Sequence, residues 1–132
     1  AIALLRQSAA SGTWFDLCGV PIGSALGRTE FCRIGCDVGL DWDGAAYMRG
    51  TGRERVSTKN SLANTRGRAH LDGRAFRCDP DVFFLRPDVR LTDEQRAELL
   101  EADSTLGGVL FTSDDMSLWD ADQRALFSRA LG

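Results

Sequence analysis

The sequence predicts an α/β protein made of parallel βα units. Three observations carry that prediction. The 132 residues read in the order strand, strand, helix, strand, helix, strand, helix, and such alternation argues for parallel strands joined by helical crossovers. The strand candidates are short apolar runs, as expected where helices cover one face of a sheet. Acids or glycines fall at the carboxyl end of every strand: Cys18-Gly19, Asp37, Asp79 with Asp81, and Asp114 with Asp115. In parallel sheets and barrels that edge is where ligands bind.

Each element has its own signal. Residues 1–10 read as the end of a helix, stopped by Ser11-Gly12. Thr13 to Val20 is a strand of β-formers closed by Pro21. Pro21 to Gly27 reads as a loop, too short for a good helix. Phe31 to Cys36 is the second strand. Residues 38–57 carry no period; Gly44, Gly50 and Gly52 punctuate them, and Arg49, Arg53, Glu54 and Arg55 keep them wet. They read as a long surface excursion, and such loops are often functional. Ser57 or Thr58 can cap a helix that runs to about Leu71 and ends at Gly73. Arg74 to Cys78 is the third strand, leading through Asp79-Pro80-Asp81 into Val82-Phe83-Phe84-Leu85. Thr92 can cap the next helix and Gln95 can reach back to complete a capping box, with Asp93 and Glu94 at the positive end of the dipole. That helix runs to about Leu106 and breaks at Gly107-Gly108. Val109 to Thr112 is the fourth strand. Ser113-Asp114-Asp115 then reads as the cap of a last helix, Leu118 to Leu131, with Leu118, Ala121, Ala125, Leu126 and Leu131 as its apolar face.

The bulk numbers fit one domain over residues 1–132. Hydrophobic residues at 43% and charged residues at 27% are the balance of a soluble globular protein. A formal charge of −3 supplies no basic field for nucleic acid or an anionic membrane. No apolar run approaches the roughly 20 residues of a membrane helix, and Arg6-Gln7 breaks the opening apolar run too early for a signal peptide. Cys32 and Cys36 on an extended strand would lie about 13 Å apart, too far for a disulfide. The spacing of the four cysteines does not suit zinc either. They read as small buried residues of a reduced, cytoplasmic protein. No cofactor or metal is expected.

The segment Phe31-Cys32-Arg33-Ile34-Gly35-Cys36-Asp37-Val38-Gly39-Leu40-Asp41-Trp42 stands out. A charged pair on an apolar strand is costly unless something needs it. Either Arg33 and Asp37 form a structural ion pair, or Asp37 is a catalytic acid with Arg33 and Trp42 gripping a substrate. Trp14 and Trp42 are by default core residues. His70, the one histidine, lies on a helix away from the acid-bearing ends, which leaves little room for Ser-His-Asp or Cys-His catalysis. Glycine-rich nucleotide signatures are missing from the sequence. What remains is carboxylate chemistry, and two carboxyl groups at a sugar bond is the arrangement of glycoside hydrolysis. A non-catalytic α/β module that binds a sugar or a divalent cation stays open, since Asp79, Asp81, Asp114 and Asp115 are oxygen ligands suited to Mg²⁺ or Ca²⁺.

Arg33-Ile34-Gly35-Cys36-Asp37 resembles the Arg-x-x-x-Asp segment of retaining α-galactosidases, the melibiases of glycoside hydrolase families 27 and 36. Cys78-Asp79-Pro80-Asp81-Val82 resembles their Asn-Asp-Pro-Asp segment. Leu91-Thr92-Asp93-Glu94 and Gly107 to Asp115 resemble their last barrel helix and strand, while Ser57 to Leu62 and Cys18-Gly19-Val20-Pro21 are similar to the family-36 branch. The motifs occur in the family's order over nearly the whole chain. The resemblance implies the carboxy-terminal half of a (β/α)₈ barrel, strands five to eight, and a terminal α-galactoside as substrate. It makes Asp37 the general acid/base, Arg33 a contact to the sugar hydroxyls, Asp81 the floor of the pocket, Cys18 and Gly19 its lining, and Trp42 a neighbour of the acid/base. Asp79, Asp114 and Asp115 would support the strand ends. Two departures are plain: Cys78 replaces the asparagine, and Gly19 lacks an acid found there in family 27. The family's nucleophile, an aspartate in a Lys-x-Asp segment, is not found before Thr13.

The implied mechanism is double displacement, with Asp37 donating a proton and then acting as base. Arg33 is then expected to point to the sugar or to another acid such as Asp81, rather than to pair tightly with Asp37. The 132 residues alone are expected to be inactive, and the open sheet edges to favour self-association, possible homo-oligomers included.

Overall fold

A computed structural model describes residues 1–44 and 56–132. The glycines and charged residues placed between 45 and 55 in the surface excursion lie outside the described residues.

Strands β1 (Asp16–Leu17), β2 (Phe31–Arg33) and β3 (Arg77–Asp79) form one parallel sheet in that order. β4 (Val82–Phe83) and β5 (Phe111–Thr112) form a second parallel pair. The two pairings are joined by one chain segment. β3 and β4 are separated only by Pro80 and Asp81, so the polypeptide leaves β2 and takes up β5 within two residues. Pro80 has no N–H to give to a ladder, and Asp81 turns the backbone with φ of +91°. Among the described residues β1 pairs only with β2 and β5 only with β4, so the sheet is open.

Register decides what faces where. Asp16 lies opposite Phe31, Phe31 opposite Arg77, and Arg33 opposite Asp79. Partners in a ladder share a face and alternate along each strand. One face therefore carries Asp16, Phe31, Arg33, Arg77 and Asp79. The other carries Leu17, Cys32 and Cys78, which join Ile34, Phe76 and Ala25 in a small core.

The helices are α1 (Ile2–Ser8), α2 (Ile22–Ala25), α3 (Thr58–Arg68), α4 (Asp93–Leu106) and α5 (Ala121–Leu131). Ser57 caps α3, its Oγ accepting from the Asn60 N–H. Thr92 and Gln95 form the expected capping box on α4. The larger core joins Leu62 of α3, Phe83 to Leu85, Val89 and Leu91, Leu99, Leu100 and Ala102 of α4, and Trp119. At about 25 cal/mol per Å² of apolar surface, these side chains are the main stabilising term.

Several expectations are corrected. Pro21 to Gly27 is not a plain loop: the short helix α2 forms there, with Pro21 as its N-cap and the Ser24 N–H donating to the Pro21 carbonyl at 2.8 Å. The first strand shrinks to two residues, ended by Gly19 with φ of +69°. Asp115 caps only a 3₁₀ turn, Met116–Leu118; Asp120 caps α5 in its own capping box with Gln123. Residues 38–43 are not a wet excursion. Asp41 and Trp42 carbonyls accept from the Thr58 and Lys59 N–H groups, Thr58 Oγ1 donates to the Gly39 carbonyl, and Asp41 is bridged by Arg90. Trp14 is not a core residue: it is 73% exposed and rests on Phe31. Cys18 is exposed, while Cys32 and Cys78 are buried; none of the four cysteines forms a disulfide. No helix among the described residues is long and apolar enough to cross a membrane.

Candidate active site

The polar face of the sheet converges on Arg33. Its Nε lies 2.6 Å from Asp79 Oδ2, one NH₂ group 2.9 Å from Asp81 Oδ1, and the other 3.2 Å from Asp37 Oδ1. A planar guanidinium suits this, because its donors point in fixed, separate directions. Asp79 and Asp81 are nearly shut off from solvent, whereas the Asp37 side chain is 67% exposed. The strong pairs therefore anchor the arginine, and Asp37 leans on it with one oxygen. The arginine does reach Asp81, as expected; its shortest bond goes to Asp79.

The surrounding backbone fixes these carboxylates. Asp79 Oδ1 accepts from the Asp81 N–H at 2.8 Å, a local turn that stabilises the unusual φ of Asp81. Asp81 Oδ2 accepts from the Val38 N–H at 2.7 Å, which ties the segment after β2 to the turn after β3. Burial raises the Asp81 pKa, while the Val38 N–H and Arg33 pull against that rise. Burial also opposes the charge on Arg33, but Asp79 and Asp81 more than offset it.

The structure adds two acids that were not singled out. Asp16 sits on the same face as Arg33 and Asp79. Asp16 remains open to solvent on one side; partial burial of its carboxyl first, then the charge of Asp79 and a hydrogen bond with it, raise its pKa to about 6 against the pull of Arg33. Two carboxyl groups can share a hydrogen bond only when one holds a proton. The available signal was its position inside the first strand, where an aspartate is disfavoured. Asp103, near the end of α4, is 1% exposed, and nothing in its local sequence marks it.

The other predicted residues are placed as follows. Cys18 and Gly19 are exposed at the end of β1, and Cys18 acts electrostatically on Arg33. Trp42 is half-buried against the larger core. Cys78 points its side chain into the smaller core. Asp114 accepts from the Leu85 and Arg86 N–H groups at 2.6 and 3.0 Å and from Trp119 Nε1 at 3.0 Å. Asp115 is exposed and bonded to Ser117. His70 is exposed on the 3₁₀ turn after α3. Among the described residues no group of three or more His, Cys, Asp or Glu is arranged to hold a metal ion. Instead a guanidinium stands at the centre of the acids.

No protein-family model matches the chain, and no curated protein matches it significantly. Solved structures do. The α-galactosidase TtGalA from Thermus thermophilus, in complex with stachyose, superposes with a TM-score of 0.85 at 25% identity, over 99% of this chain and 29% of that one. The same enzyme in complex with p-nitrophenyl α-D-galactopyranoside gives 0.84 at 25% identity, over 99% and 27%. The fold matches part of an α-galactosidase barrel. The open run of parallel strands is thus a partial (β/α)₈ barrel, and this chain spans less than a third of the enzyme it resembles. The polar face of β1–β3 corresponds to the inside of such a barrel, which accounts for acids and an arginine where an ordinary sheet would bury apolar side chains.

Proposed function

We propose that these residues form part of a retaining glycoside hydrolase acting on terminal α-galactosides, of the kind grouped in families 27 and 36. The observation that carries this reading is the unequal grip of Arg33. It is fixed by two shielded acids and leaves Asp37 exposed at the same strand end. A general acid/base must reach the departing oxygen and the incoming water, and of the three acids that touch Arg33 only Asp37 is so presented. In this reading Asp37 protonates the leaving group and then deprotonates water. Arg33 and Asp81 hold sugar hydroxyls, Cys18, Gly19 and Trp42 border the pocket, and Asp79 keeps Arg33 in place. Residues outside this sequence supply the carboxylate that attacks the anomeric carbon.

A chimera tests this. The corresponding segment of the Thermus enzyme is replaced by these residues, and hydrolysis of p-nitrophenyl α-galactoside is measured. Activity in the chimera that falls roughly 10²- to 10⁴-fold in Asp37→Asn, with a far smaller change for Asp115→Asn, fits the assignment. A folded, active chimera indifferent to Asp37→Asn would sink it.

A further inference from the structure

Asp103 is a buried acid that the proposed chemistry does not use, and among the described residues it is the one acid with both carboxyl oxygens buried and without a hydrogen-bond partner. It lies in the last turn of α4, packed directly behind the candidate site. Its carbonyl accepts from the Gly107 N–H at 3.1 Å, and a Cβ on Gly107 would stand 2.9 Å from the Cγ of Pro80. Pro80 is the residue between Asp79 and Asp81. The charges that act on Asp103 are those of Asp81, Asp79 and Arg33.

Among the described residues, the other elements packed on α4 bring no cation to it. On α3, Lys59 is paired with Asp43, Arg66 with Glu98, and Arg68 donates to the Ile34 carbonyl. On α5, Arg124 bonds carbonyls of Trp119 and Ser117, and Asp122 and Arg129 are exposed. β4 carries no charge. On α4 itself, Asp93 pairs with Arg96, while Glu94 and Glu101 are exposed. A single arginine thus already serves Asp79, Asp81 and Asp37. A further buried negative charge would have no partner, and the negative end of the α4 dipole disfavours it as well.

We propose that Asp103 is a positioning residue that works as an uncharged carboxyl: neutral, it lets Asp79 and Asp81 share Arg33, and ionised, it sets a third buried charge behind them and opens the cluster. Burial, and then the charges of Asp81 and Asp79, raise its pKa to about 8. The Arg33 arrangement is then intact at neutral pH and loosens in mild alkali. The idea extends the site described under the proposed function, but its test contains no sugar, so the two can fail separately.

The test is an NMR titration of the intact chain from pH 6 to 9.5. The Asp103 carboxyl carbon, the Arg33 Nε–H and the Asp81 amide are followed together. All three are expected to move in one step centred near the Asp103 value of about 8. In Asp103→Asn, which copies the neutral form, the Arg33 and Asp81 signals should hold their low-pH positions throughout. An Arg33 step that survives in Asp103→Asn overturns the proposal. So does a wild-type Asp103 carbon that titrates while Arg33 stays still, or one that shows no step across this range because it is already ionised at pH 6. The two wild-type outcomes do not depend on the variant folding.

Discussion

Arg33 and Asp79 lie opposite each other in the β2–β3 ladder, and their side chains meet at 2.6 Å. The pair is built into the sheet register, so it holds without any ligand. Removing the arginine would leave Asp79 and Asp81 shielded with only backbone N–H groups and no cation. Arg33→Ala is expected to cost ~3 kcal/mol, as for other broken buried pairs. Arg33→Lys should recover less than half of that, because a point charge cannot serve two acids in separate directions. Chemical denaturation of the two variants checks both values.

Asp37 should behave in the opposite way. Its contact with Arg33 is single, 3.2 Å long and solvated, and exposed pairs contribute ~0–1 kcal/mol. Asp37→Asn is therefore expected to leave the melting temperature of the isolated chain within a degree or two. A large loss of stability would mean that Asp37 is structural.

Asp16 predicts a pH dependence. Its value of about 6 in the folded chain lies above the ordinary 3.8. The folded chain then holds a proton that the unfolded chain releases, so its contribution lowers stability as pH rises from about 4 to 6 and levels off above. Asp16→Asn should remove that fall: the gain in melting temperature over wild type is larger at pH 7 than at pH 4. An equal gain at both would count against the shared proton with Asp79.

Asp114 tests the end of β5. It gathers two backbone N–H groups and the Trp119 indole, and its side chain is 1% exposed. Asp114→Ala strands all three donors and is expected to cost about 2–3 kcal/mol. The urea midpoint should fall with the slope unchanged. Asp115→Ala, which disturbs only an exposed 3₁₀ turn, should shift it little.

Local signals were the readable ones. Thr92 with Gln95, and Ser57 with the Asn60 N–H, specify helix starts within four residues, and both caps form. Asp37, Asp79, Asp81 and Arg33 could be placed at strand ends because strand alternation is also local. What depends on distant pairing was harder to read. Asp114 looked like a helix cap, but its partners include Leu85 and Arg86, far back in the chain. Trp14 looked like core by its side chain, yet it stands exposed before β1 with its ring against Phe31, a contact set by the pairing of β1 with β2. Asp103 has no motif at all, since it is buried on a helix that packs against α3, α5 and β4, all distant in sequence from it or reached only in the fold.

The alternation of β1, β2 and β3 also limits how this segment can change over time. Arg33 and Asp79 face one way and Cys32 and Cys78 the other, with one residue separating the two environments. Losing or gaining a single codon between Phe31 and Arg33 would turn the guanidinium toward the helices and present a thiol in its place. A substitution here changes one side chain and leaves the facing of the others as it was, whereas a length change moves them all. Related chains should therefore keep the spacing from Phe31 to Arg33 fixed and place their insertions elsewhere, beyond the strand ends.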